Sequence, residues 1–85
     1  MRFDPPVISV KAGVPVEVTL EGVGNSEHDL SLSEGVSSPV KIAAKGQEFA
    51  AATFTIDKPG TYGFFCSVPG HAFGGMRGSL VAVAS

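Results

Sequence analysis

The sequence predicts an all-β domain, a sandwich or barrel of about seven short strands. Turn-forming residues recur roughly every eight to twelve residues along the chain. The apolar segments between the turns are short, and they are rich in the valine, threonine, isoleucine and phenylalanine that pleated strands favour. With 85 residues, the chain is long enough for one hydrophobic core, so we expect a single domain over residues 1–85.

Seven segments have the pattern of a strand. They are Val7–Lys11, Val16–Glu21, His28–Ser33, Val40–Ala43, Gln47–Ile56, Thr61–Cys66 and Gly78–Ala84. The second segment alternates most clearly, because its valines and leucine are separated by glutamate and threonine. The stretch Ile42–Ala52 is rich in alanine and could also form a helix, but we favour strand or irregular structure there.

Turn signals separate these segments in order. They read AGVP (12–15), GVGN (22–25), EGVSSP (34–39), KG (45–46) and DKPG (57–60). Glycine, proline, asparagine and aspartate supply the backbone conformations that tight turns require. We therefore expect each predicted strand to end at the turn-forming residues that follow its apolar pattern.

The stretch KPGTYGFFC, residues 58–66, gives the most detailed structural prediction. After a Pro-Gly turn, Tyr62, Phe64 and Cys66 point to one face of the strand. If Phe64 faces the core, Cys66 begins the next loop on the core side. A redox or catalytic phenol is one role for Tyr62, but we predict a tyrosine corner whose hydroxyl bonds to nearby backbone.

Charge and hydropathy exclude several classes of partner. Six Lys and Arg against eight Asp and Glu give a net charge of −2, and the charges are scattered. No basic stripe could neutralise phosphates and no polybasic patch could bind anionic lipid, so we expect no nucleic-acid partner. No apolar run approaches the roughly 20 residues of a membrane span. The opening residues do not have the pattern of a signal peptide.

The stretch CSVPGHAFGGM, residues 66–76, concentrates the chemistry of the chain. It holds the single cysteine, Cys66, then His71 and Met76 at intervals of five residues, while the second histidine, His28, lies in NSEHDL. A nucleophilic cysteine with a histidine base would need an exposed, activated thiol and a third group that orients the histidine. That chemistry leaves the methionine without a role.

Two metals are the other candidates. Structural zinc takes four ligands from Cys and His, but this set supplies three such side chains and a thioether. Thiolate and thioether are soft ligands that suit Cu(I), and imidazole binds copper in both oxidation states. Two histidines and one cysteine in a trigonal arrangement, with a weak axial methionine, form a blue-copper site. Copper alone gives all four side chains a use.

At these residues the sequence resembles the cupredoxins, the blue-copper family of small Greek-key β-sandwiches. The resemblance runs from VKAG through EHDL and KPGTYGFFC to the final strand, and the loop Cys-x4-His-x4-Met is most similar to those of the rusticyanin and auracyanin branches. It implies a sandwich or barrel of about seven to eight strands. It also implies one type 1 copper ion with His28, Cys66 and His71 as strong ligands and Met76 as the weak axial ligand.

The resemblance further implies a one-electron carrier that is not an enzyme. We expect a monomer in the periplasm or elsewhere outside the cytoplasm, with cytochrome or oxidase partners that dock near His71 and Phe73. A copper-binding or trafficking protein of the same fold remains an alternative, as does a cysteine-dependent enzyme. Asp29 departs from the family, in which asparagine is common at that position. We expect Asp29 to accept hydrogen bonds from Ser67 or loop N–H groups, and its charge to favour Cu(II).

Overall fold

In a computed structural model that describes residues 2–68 and 76–84, every regular element is a β-strand. The strands are β1 (Val7–Lys11), β2 (Val16–Glu21), β3 (Glu27–Leu32), β4 (Val40–Lys45), β5 (Phe49–Phe54), β6 (Gly60–Phe65) and β7 (Arg77–Val83). The predicted all-β class is confirmed, and the predicted strands differ from these by a few residues at their ends. The alanine-rich stretch forms part of β4 and β5 around a turn at Gly46, which has a φ of 64°.

The strands form two sheets. One has the order β1-β7-β6-β3-β4, and the other pairs β2 with β5. β1 runs parallel to β7, and the other pairs are antiparallel. The neighbours β3 and β6 are distant in sequence, and their register places Ser31 opposite Phe65. Because the two strands are antiparallel, the part of β3 before Ser31 lies beside the segment that follows Phe65.

The core lies between the sheets and extends to the end of the molecule where β6 finishes. Its buried members include an edge-to-face pair of rings, Phe3 and Phe64, whose centroids are 5.0 Å apart. Cys66 and Met76 belong to the same buried cluster. Two of the predicted metal ligands are therefore part of the hydrophobic core rather than of an exposed loop.

Tyr62 forms the predicted corner. Its hydroxyl donates to the carbonyl oxygen of Lys58 at 2.8 Å, four residues earlier in the chain. The ring lies against Gly35, where an added Cβ would be 2.7 Å from a ring carbon. Gly35 also has a φ of 78°, so both its backbone and its neighbour favour glycine. Tyr62 thus has a structural role.

No helix among the residues described by the structure is long and apolar enough to cross a membrane.

Candidate metal site

Strand pairing brings three of the four predicted ligands to one end of the larger sheet. His28 lies near the start of β3, Cys66 follows the last residue of β6, and Met76 precedes the first residue of β7. Phe65 and Arg77 are opposite each other in the β6–β7 pair, so Cys66 and Met76 are the next residues beyond that pair. The N–H of Cys66 donates to the carbonyl oxygen of Met76 at 3.0 Å and continues the ladder.

The sulfur of Cys66 is held against β3. Cys66 is only 1% exposed, and the backbone N–H of Asp29 donates to its Sγ at 3.5 Å. Asp29 is the residue directly after His28, and it lies 37 positions before Cys66 in the chain. The fold therefore brings the thiol next to the backbone that carries the predicted upstream histidine.

His28 and Met76 line one pocket. The pocket has a volume of about 670 Å³, and Phe64 and Leu30 contribute to its apolar wall. The Nδ1 atom of His28 is buried, although the residue as a whole is half-buried, and Met76 is buried as well. His28 and Met76 therefore border the same cavity.

Asp29 connects the two chain segments that carry Cys66 and His28. Its Oδ1 accepts hydrogen bonds from the Ser67 N–H at 2.7 Å and the Ser31 hydroxyl at 3.1 Å. Its Oδ2 accepts from the Ser67 hydroxyl at 2.5 Å and lies 3.8 Å from Nζ of Lys41. The expectation that Asp29 accepts hydrogen bonds from Ser67 is confirmed.

The carboxyl group of Asp29 favours its charged form. Burial raises the pKa of Asp29, and the backbone and hydroxyl hydrogen bonds from Ser67, the hydrogen bond from Ser31 and the Lys41 ammonium each lower it. Together the lowering contributions outweigh the burial, so the pKa lies below its usual range. Asp29 is therefore ionised at neutral pH although it is only 3% exposed.

Two contributors to this environment were not found from the sequence. Ser31 follows Asp29 by two residues on the same strand, so period-two alternation places both on one face and could have indicated the contact. Lys41 lies opposite Ser31 in the β3–β4 register. That register depends on how the strands pair, and no pattern around Lys41 predicts it.

His71 and Phe73 lie outside the described residues, so their predicted roles stay predictions. Within residues 2–68 and 76–84, no three Cys, His, Asp or Glu side chains form a group that could hold a metal ion. The predicted ligand set has two such members in these ranges, His28 and Cys66, together with the thioether of Met76. The structure brings these three to one end of the larger sheet.

The donors that the structure brings together fit copper. A buried sulfur, a buried thioether and an imidazole nitrogen are soft or intermediate ligands of the kind that copper prefers. Residues 1–83 match the family of copper binding proteins described as the plastocyanin/azurin family. The chain belongs to this copper-binding family. It is a cupredoxin by sequence as well as by fold.

Solved structures of other cupredoxins resemble this one closely. Auracyanin A, a blue copper protein of Chloroflexus aurantiacus, is 25% identical, with a TM-score of 0.84 over 96% of this chain and 89% of that chain. A reduced Cu(I) form of an amicyanin variant is 29% identical, with a TM-score of 0.70 over 98% of this chain and 74% of that chain. The predicted likeness to auracyanin is confirmed.

A curated relative has a name that refers to copper resistance. The copper-resistant cuproprotein CopI of Rubrivivax gelatinosus is 30% identical over 100 residues, which include 95% of this chain. The match covers 59% of CopI, so the chain spans about three-fifths of the length of that relative.

Proposed function

We propose that this cupredoxin is a one-electron carrier that binds a single type 1 copper ion through His28, Cys66, His71 and Met76. The contact between the Asp29 N–H and the Cys66 Sγ carries the proposal, because it places the sulfur beside the strand of His28. The blue copper protein auracyanin A, with its similar fold, supports the same assignment.

Bound copper would cycle between Cu(II) and Cu(I), and it would exchange one electron without making or breaking any bond of a substrate. The chain's own residues fix the surroundings of that ion. Burial of Cys66 and Met76 in the core excludes water from the sulfur atoms. Two hydrogen bonds hold Cys66 in place: the Asp29 N–H donates to its sulfur, and its own N–H donates to the Met76 carbonyl oxygen. Such outer contacts orient ligands and tune a metal site.

A visible spectrum of the Cu(II)-loaded protein tests the proposal. We expect an intense absorption band that arises from the Cys66 thiolate and disappears in Cys66→Ser. The Zn(II)-loaded wild type, which has no redox chemistry of its own, is the control. A colourless Cu(II) protein, or a band of full strength in the serine variant, would contradict the assignment.

The partners and the location follow from the same proposal. We infer a monomeric carrier outside the cytoplasm, in the periplasm or an equivalent space, that exchanges electrons with cytochrome or oxidase proteins near His71 and Phe73. Membership of the plastocyanin/azurin family supports such a role. The buried state of Cys66 argues against a cysteine-dependent enzyme, since a nucleophilic thiol must be accessible to its substrate.

Copper handling is the second candidate, and the relative CopI favours it because its name refers to copper resistance. Repeated reduction and oxidation separates the two functions. A carrier keeps its copper through many cycles in the presence of a Cu(I) chelator. A copper-handling protein gives up its metal in the Cu(I) state at a rate that matches its transfer to an apo-acceptor.

A further inference from the structure

The outer face of the five-stranded sheet, which points away from the core, collects most of the cations of the chain. Every second side chain along a strand lies on this face. Two carboxylates lie there as well: Glu27 is opposite Lys45, and Asp29 is buried beside Lys41. The face is nevertheless positive, although the chain has a net charge of −2. Four of the six lysines and arginines belong to it, namely Lys11, Lys41, Lys45 and Arg77.

The two-stranded sheet has the opposite charge on its outer face. Glu17 and Glu21 are exposed on β2, and the residues opposite them on β5 are Thr53 and Phe49. Neither strand contains a lysine or an arginine. Charges that are scattered along the sequence are thus separated in the fold, because strand register sorts them between a positive and a negative face.

Phe65 lies in the middle of the positive face and is 43% exposed. Register places it between Ser31 on one side and Arg77 on the other, and Lys41 follows Ser31 in the same row. Neighbouring strands are about 4.8 Å apart, so the row has one cation about 5 Å from the strand of Phe65 and another about 10 Å away on the other side. Phe65 and Arg77 also line a surface cavity of about 480 Å³. Exposed aromatic and arginine side chains are enriched where proteins contact each other.

We propose that the positive face around Phe65 is a docking surface for a protein partner whose own contact surface has an apolar centre and carboxylates around it. The ring of Phe65 loses its exposed area in the complex, and Arg77 and Lys41 lie opposite the carboxylates of the partner. Complementary charge of this kind steers encounter and fixes the register of two surfaces. These residues differ from those of the predicted docking position near His71 and Phe73, so the surface is an additional one.

The arrangement of charges favours a protein over a nucleic acid or an anionic membrane. The cations do not form a continuous stripe, since Lys11 lies at the far end of β1. Carboxylates lie among them: Glu27 is exposed on the same face, and Glu34 lines the same cavity as Arg77. A dense row of phosphates would be repelled by these carboxylates. A folded protein can place its own carboxylates at separate points, opposite the cations alone.

The test measures binding of a fluorescent synthetic peptide that repeats the triplet Glu-Asp-Leu, at about 10 mM salt, where the Debye length is about 30 Å. Arg77→Gln and Lys41→Gln should each raise the dissociation constant about two- to fivefold. Lys58→Gln is the matched control, because Lys58 is exposed but precedes β6, at the opposite end from Phe65. It removes the same charge and should have less than half the effect.

A second pair of variants tests the apolar centre. Phe65→Ser should weaken peptide binding more than about fivefold, as expected for a buried aromatic anchor. Phe49→Ser removes an exposed ring from the two-stranded sheet and should leave binding unchanged. A peptide that repeats Gln-Asn-Leu has the same leucines without the charges, and it should not bind.

Four results would overturn the proposal. The acidic peptide does not bind, or Lys58→Gln weakens its binding as much as Arg77→Gln does, which means a general attraction to cations. Vesicles that contain phosphatidylserine bind more tightly than the peptide, which assigns the face to a membrane. The protein forms a dimer in sedimentation at the same salt and Arg77→Gln dissociates it, which assigns the face to a second copy. None of these measurements uses a redox reaction, so their outcome is independent of the proposed electron transfer.

Discussion

Replacing Asp29 with alanine in the metal-free protein should destabilise the fold substantially. The change removes the acceptor of the Ser67 N–H, the Ser67 hydroxyl and the Ser31 hydroxyl. It also breaks the side-chain connection between β3 and the segment after β6. No metal is required for these contacts, so the prediction concerns the fold alone.

The magnitude follows from those contacts. Hydrogen bonds to a charged group contribute about 1.5–3 kcal/mol each. The two serine hydroxyls can turn toward water after the change, and the variant no longer bears the cost of burying the Asp29 carboxylate. The Ser67 N–H retains the largest penalty, since a backbone donor cannot turn away. We expect a net loss of about 2–4 kcal/mol in the free energy of unfolding at neutral pH.

The loss should depend on pH in a defined direction. The folded pKa of Asp29 is lowered, so the unfolded state takes up its proton first as the pH falls. The stabilisation by Asp29 is therefore complete well above the unfolded pKa of about 3.9. It is lost as the pH falls through the lower, folded pKa. The difference between wild type and Asp29→Ala should shrink below about pH 4.

Guanidinium unfolding of the metal-free proteins at about pH 6 and about pH 2.5 tests both statements. With a slope of about 2 kcal/mol/M, the midpoint of Asp29→Ala should be about 1–2 M lower at the higher pH. Asp57→Ala, which removes an exposed carboxylate, should change stability by less than about 0.5 kcal/mol. A difference for Asp29→Ala that is below 0.5 kcal/mol, or that grows on acidification, would refute the reasoning.

Three further predictions concern the ligand, the partner and the fold. Met76→Leu should keep the blue colour and raise the potential measured by voltammetry, because the proposed weak axial ligand is lost. A protein that no longer binds copper would show another role for Met76. Phe73→Asp should slow electron exchange with a partner in stopped-flow measurements more than it shifts the potential, and unchanged kinetics would argue against docking there. Gly35→Ala should cost about 1–3 kcal/mol more than Gly13→Ala in unfolding experiments. Both glycines have a φ of 78°, but only at Gly35 does the added Cβ meet Tyr62, so equal costs would contradict the packing argument.

The sequence predicted the fold well because the strands of this chain are defined locally. Val16–Glu21 alternates between half-buried and exposed residues, as its pattern indicates, and the structure gives the same bounds. The end of β5 was placed too far along the chain, since the prediction continued to Ile56. Ile56 is fully buried but lies beyond the last paired residue of β5, so its apolar character reflects the core and not the ladder.

The candidate site was predictable to the extent that its residue types are rare in the chain. Cys66, His71 and Met76 stand out by their spacing, and His28 joined the set because it is the other of the chain's two histidines. The neighbours that set the charge of the site depend on register. In the pairing of β3 with β4, Lys41 lies opposite Ser31, and this position allows Lys41 to contact Asp29. A shift of the register by one residue would turn the Lys41 side chain to the other face of the sheet.

The placement of Cys66 and Met76 links the site to the stability of the domain. Both side chains belong to the same buried cluster as Phe64 and Leu80, so any change at either proposed ligand also changes core packing. A metal that binds the folded state adds its binding energy to folding, which matters most for a small domain with one core. Variants at these two positions should therefore be compared in the metal-free and the copper-loaded forms. The effect of a variant on the stability of the metal-free protein reports the role of the side chain in packing. Any additional effect on the stability of the copper-loaded protein reports its role as a ligand.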